Sequence, residues 1–171
     1  MTKLEKLLQL AEDENIIIHY TDYLPYNLGG LYVEIEGVGP IISILNSIKD
    51  NHYEFIEVLA EELGHYFTSA GDSLNNVTTY TDKLNVCRCE RKALKWACNF
   101  LVTKEDLVNA LEYGCNSYYE FSEYIGVSEE IIKYKFELLA LVNNQVKLGK
   151  YYIILSNLPN IYIYKEILYF I

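Results

Sequence analysis

Residues 57–68, Glu57-Val-Leu-Ala-Glu61-Glu62-Leu-Gly-His65-Tyr-Phe-Thr68, constrain this chain more than any other stretch. Phe55, Val58, Leu59, Leu63 and Tyr66 recur at intervals of three and four, the spacing of one buried stripe on an α-helix. Asn51, with Glu54 three residues later, supplies an N-cap for it. In that helix Glu61 and His65 stand one turn apart on the same face, close enough to grip one metal ion, while Glu62 points about 100° away.

On a helical wheel Glu62 falls inside the apolar arc, between Val58 and Phe55, whereas Glu61 and His65 lie together at its edge. A carboxylate on a buried stripe costs several kcal/mol unless it is neutral, paired or linked to a metal. A general base with a raised pKa is one solution. The run resembles the H-E-x-x-H helix of zinc peptidases, with Glu61 in the place of the first histidine. A Glu/His pair at this spacing is equally the composition of a solvated helix face, so a third ligand is needed.

Residues 89–101 provide a candidate. Ala93, Trp96, Ala97, Phe100 and Leu101 form the buried stripe of a second amphipathic helix, and Glu90 continues it by one turn. Arg91, Lys92 and Lys95 face away, so Glu90 is the one charge set on the apolar side. Either it faces a cation, or it is a first-turn acid favouring the helix N-terminus. Cys87 and Cys89, just ahead of it, admit a rival in which a thiolate reaches the metal, although a lone Cys-x-Cys is weak metal spacing. Cys98 and Cys115 read as small buried residues, and disulfides do not suit a cytoplasmic chain.

The run 59–68, followed by Gly71-Asp72, and the later Glu90-x-x-Ala93-x-x-Trp96-Ala97-x-x-Phe100-Leu101 together resemble the two signature blocks of the ImmA/IrrE family of metallopeptidases, over roughly residues 25–140. The resemblance implies a small zincin-like α+β fold, with a short sheet packed on active-site helices and a helical C-terminal part. It implies that His65 and Glu90 are metal ligands, with Glu61 a third in place of a histidine, and that Glu62 is the catalytic glutamate. It implies zinc as the cofactor. Relatives are encoded by phages and mobile elements and cleave a helix-turn-helix, DNA-binding repressor; such a repressor is therefore the implied substrate. A ligand set of two carboxylates and one imidazole is harder than usual, which shifts preference toward manganese or iron. Two charged carboxylates also nearly neutralise a divalent ion, so its water is acidified less. A weak peptidase follows, or alternatively a metal-binding interaction protein that regulates a repressor by contact without cleaving it.

A chain of 171 residues, half of them apolar, can bury a sizeable core. It shows no secretory leader pattern and no membrane-spanning run, so a cytoplasmic location is expected. The formal net charge of -10 argues against direct nucleic-acid binding, leaving a DNA-binding regulator a distant third reading, and favours a basic partner.

In order, residues 3–13 read as an amphipathic helix and 16–18 as a short buried strand. Residues 31–35 and 41–45, around Gly37-Val-Gly-Pro40, read as a hairpin, one strand of which is expected to border the cleft. Residues 75–82 read as loop. Tyr66 and Tyr80 are candidates for a phenol aimed at the reaction's oxyanion; His19 and His52 have no ligand partner at helical spacing. The peptidase core is assigned to 1–102. A helical annex follows at 103–148, with helices over 105–113, 117–125 and 129–142. Its Gly-Val-Ser rhythm suggests a helix-turn-helix, but acidic residues outnumber basic ones, which opposes contact with phosphates. The apolar tail, 149–171, reads as a hairpin buried against the core or a second copy, which allows a homodimer.

Overall fold

The computed structural model describes residues 1–68 and 80–166. The Gly71-Asp72 pair, residues 75–79 of the loop read at 75–82 and the last five residues lie outside the described residues, as does the Tyr80 side chain; residues 80–82 of that expected loop are helical instead. The chain divides into two compact units, Met1–Leu101 and Val102–Ile171. The architecture is α+β, with six helices and two small sheets among the described residues.

In the first unit, helix α1 (Lys3–Asp13) begins with a capping box. The Thr2 hydroxyl accepts from the Glu5 amide at 3.1 Å, and Glu5 accepts from the Thr2 amide at 2.7 Å. Leu7 and Ala11 are its buried face. Strands β1 (Ile17–Thr21), β2 (Gly30–Ile35) and β3 (Gly39–Leu45) form a sheet in the order β1-β3-β2. The expected hairpin is present: β2 and β3 are antiparallel, with Tyr32 opposite Ile42. Its turn uses Gly37 (φ 80°) and Gly39 (φ 107°), a conformation that costs glycine nothing. β1 joins β3 in parallel, Ile18 opposite Ile42, so β3 is central and β2 keeps one edge unpaired within the sheet. Tyr32, Ile42 and Ile44 point into the core.

Against this face lies α2 (His52–Thr68), burying Phe55, Ile56, Leu59, Ala60 and Leu63. Asn51 caps it, its side-chain oxygen accepting from the Glu54 amide at 3.4 Å. Helix α3 (Tyr80–Leu101) packs on α2, with Ala93 against Gly64, and buries Ala97, Cys98 and Leu101 as well. It starts nine residues earlier than its sequence pattern shows, because residues 80–88 carry no apolar stripe to announce a helix. Glu90 therefore sits mid-helix, which removes the reading of it as a first-turn acid. Trp96 and Phe100, expected in the buried stripe, are half-buried; Trp96 stacks on Phe67 of α2 at 5.0 Å and on Phe100 at 5.3 Å.

The second unit holds α4 (Lys104–Tyr113), α5 (Tyr118–Ile125) and α6 (Glu129–Ala140), then the antiparallel sheet β4 (Gln145–Leu148), β5 (Tyr151–Asn157) and β6 (Asn160–Lys165). Thr103, Ser117 and Ser128 cap the three helices, and Gly114 and Gly126 end two of them in the left-handed conformation. Phe121 meets Phe136 edge to face at 5.4 Å in its core, with Leu107, Ile132 and Ile153 also buried. β5 and β6 form the expected hairpin; β4, four residues in a stretch assigned to the annex, adds a third strand that the sequence pattern does not reveal. No helix among the described residues is long and apolar enough to cross a membrane.

Candidate metal centre

Two glycines allow the site to assemble. A Cβ on Gly64 would come 2.9 Å from both Cα and the carbonyl carbon of Ala93, and nearer still to the carbonyl oxygen. With hydrogen there, α2 and α3 touch backbone to backbone. Ala93 is three residues from Glu90 and Gly64 is next to His65, so this contact brings the two polar side chains together. His65 Nε2 lies 3.4 Å from Glu90 Oε2. Glu61, one turn back along α2, completes the group: one donor atom from each of Glu61, His65 and Glu90 lies within 4.8 Å of the other two.

Gly30 does the same for Glu62. A Cβ at position 30 would stand 2.6 Å from Val58 Cγ1, 2.8 Å from Glu62 Cγ and 3.0 Å from Glu62 Oε1, so β2 lies directly on this part of α2. The Tyr32 amide, on the edge of β2 away from β3, donates to Glu62 Oε2 at 2.7 Å. The Glu62 carboxyl group is thus enclosed between strand and helix even though the residue as a whole keeps some exposed surface. Leu28, Gly29, Leu31 and Val58 complete the wall of a recess of about 190 Å³ that contains all four polar residues.

The electrostatics are those of a partly buried cluster of carboxyl groups around one imidazole. Burial raises the Glu62 pKa to about 7, against the pull of His65 and of the Tyr32 amide. Burial also raises Glu61, and the charge of Glu90 adds to the effect. For His65, burial disfavours the charged form, but the hydrogen bond to Glu90 and the charges of Glu62, Glu90 and Glu61 outweigh it, and its pKa rises. His65 Nε2 faces Glu90 Oε2 across 3.4 Å, a separation bridged either by a proton on Nε2, in the neutral or the charged imidazole, or by a metal ion. A divalent cation held by one imidazole and two carboxylates fits that geometry. His65 Nδ1 is buried, with no hydrogen-bond partner among the described residues, so the backing that usually orients a metal-bound histidine comes here from packing.

The structure brings Glu61, Glu62, His65 and Glu90 together as a set. Cys87 is exposed and Cys89 half-buried, and neither belongs to this group, whereas Cys98 and Cys115 are buried. Tyr66 is a correction: its hydroxyl donates to Glu14 beyond the end of α1, at 2.8 Å, and is engaged there. Sequence reasoning missed Tyr32, whose contribution is a backbone amide and so leaves no side-chain signature. It also missed Gly30 and Gly64; their signal was a glycine inside a strand–helix contact and another inside a helix, where glycine is otherwise unfavourable.

Neither the curated proteins nor the solved structures contain a match to the chain. A family model does match, over residues 11–137, a span that includes both helices of the site and most of the second unit's helices. The chain belongs to the peptidase family described as the IrrE N-terminal-like domain.

Proposed function

We propose that the protein is a metal-dependent endopeptidase in which Glu61, His65 and Glu90 hold a divalent cation and Glu62 is the general base. The observation that carries this reading is the convergence of three potential ligands from two helices beside a further, enclosed carboxyl group, that of Glu62, whose pKa is raised to about 7. When bound, the cation supplies Lewis acidity toward the scissile carbonyl and acidifies a water. Glu62, through Oε1, takes the proton of the attacking water and delivers it to the departing amine nitrogen. Tyr32 holds Oε2 through its amide and so fixes the direction of Oε1. The edge of β2 that no strand among the described residues covers offers its backbone groups, apart from the Tyr32 amide already held by Glu62, to an extended polypeptide, which then lies across Glu62.

Zinc is the first metal to test; the two carboxylates favour manganese and iron more than a two-histidine site does. The resemblance to relatives that cleave repressors of mobile elements supports a helix-turn-helix repressor as substrate, in the cytoplasm. Glu61 supports a second reading, a regulator that binds metal and repressor without cleaving. Both are tested by replacing Glu62 with Gln in the metal-loaded protein and following repressor cleavage and derepression. Loss of both with metal retained supports the peptidase; unchanged derepression supports regulation by contact.

A further inference from the structure

The second unit carries a recess of about 570 Å³ between the end of α4 and the outer face of α5. Gly114, at φ 110°, stops α4 and lays Tyr113 against Tyr124, ring centroids 4.9 Å apart. Tyr119 and Glu123, four residues apart on α5, form the opposite flank. Tyr113, Tyr119 and Tyr124 remain 77%, 60% and 43% exposed, so three aromatic rings are held in water beside a concave surface.

The charged residues that line the recess have one sign, and the nearby Lys150 ammonium is taken up by Glu112 at 3.0 Å. Glu120 accepts from the amides of Asn116 at 2.8 Å and Ser117 at 3.2 Å, which fixes its carboxylate and lowers its pKa. Glu123 adds a second carboxylate, and among the described residues no Lys, Arg or His lines the recess. The last turn of α4 has no basic residue, so its carbonyl end contributes further negative potential.

We propose that this recess docks an arginine side chain presented by a basic segment of a partner protein. A guanidinium stacks on tyrosine faces and pairs with carboxylates through the same planar group, and both partners are present here. Nucleic-acid phosphates would meet Glu120 and Glu123, and a purely apolar partner would bury those charges unpaired. The net charge of -10 draws basic chains toward the protein.

The test titrates the full chain with a blocked Gly-Arg-Gly-Arg-Gly peptide at low salt, followed by calorimetry and by amide chemical shifts, beside the same peptide with neutral citrulline for arginine. Saturable binding with shifts centred on residues 113–124, absent with citrulline, is expected. Tyr119→Ala and Glu123→Gln each weaken it about fivefold, while Tyr119→Phe stays within about twofold because the ring face remains. Equal binding of the citrulline peptide, shifts centred on Glu61 and Glu90, or unchanged affinity in both weakening variants would overturn the proposal. If Tyr119→Ala lowers the melting temperature, Glu123→Gln and the citrulline peptide still decide.

Discussion

Gly64 and Ala93 meet backbone to backbone, with no room for a methyl group on position 64, and this contact sets the 3.4 Å approach of His65 to Glu90. The same close approach places the apolar faces of α2 and α3 in register, with Phe67 on Trp96 to one side. Stability and site geometry are therefore coupled through one glycine.

Gly64→Ala forces the helices apart. Overpacking of this kind costs about 1–3 kcal/mol, and the spread of His65 from Glu90 weakens metal binding at the same time. Urea denaturation of the metal-free protein and calorimetric titration with zinc measure the two effects. A variant as stable as the parent, with unchanged zinc affinity, would show that the contact is not a constraint.

Glu62→Gln keeps the shape and loses the base. The expected result is a fall in peptidase rate of roughly 10²–10⁴-fold. Metal content by elemental analysis stays unchanged, since Glu62 is not among the three ligands. Tyr66→Phe serves as the contrasting control: it removes the hydrogen bond to Glu14, costs about 1 kcal/mol of stability, and leaves the rate unaltered.

The metal-free protein loses stability as pH rises. Glu62 has an ordinary pKa of 4.5 and about 7 when folded, so between those values the folded state holds a proton that the unfolded state has released. Its contribution is complete below pH 4.5 and declines through pH 7, by roughly 3 kcal/mol for a shift of this size. The raised pKa values of Glu61 and His65 act in the same direction. Melting temperatures of chelator-treated protein should fall across this range, and Glu62→Gln should flatten the fall. Metal reverses the trend, because its ligands bind it deprotonated, so the zinc-induced rise in melting temperature grows with pH.

Glu61→His converts the set to two imidazoles and one carboxylate. Zinc binding tightens relative to manganese, and the peptidase rate rises because less ligand charge opposes the acidity of the water. Glu61→Gln, which lacks the charge, weakens zinc by about tenfold or more. Competition titrations with a zinc chelator read both, and a zinc affinity indifferent to residue 61 would remove it from the ligand set.

What the chain's own letters determined is local. The three-and-four spacing of Phe55, Leu59, Leu63 and Tyr66 makes α2, and helix geometry then sets Glu61 and His65 one turn apart with no help from the rest of the molecule. Ser and Thr caps and the glycines at 114 and 126 mark the helix ends of the second unit for the same reason, since each acts on backbone groups within a few residues. The hairpin of β2 and β3 was legible from its alternation and its glycine turn. Tertiary structure decided the rest: the extension of α3 back to Tyr80, the parallel addition of β1 beside β3, the third strand β4, and above all the meeting of Glu90 with His65 and of the Tyr32 amide with Glu62. Those distances depend on how closely separate elements pack. That closeness comes from two missing side chains, at Gly30 and Gly64, and from apolar contacts summed over the whole first unit, which periodicity along one segment cannot express.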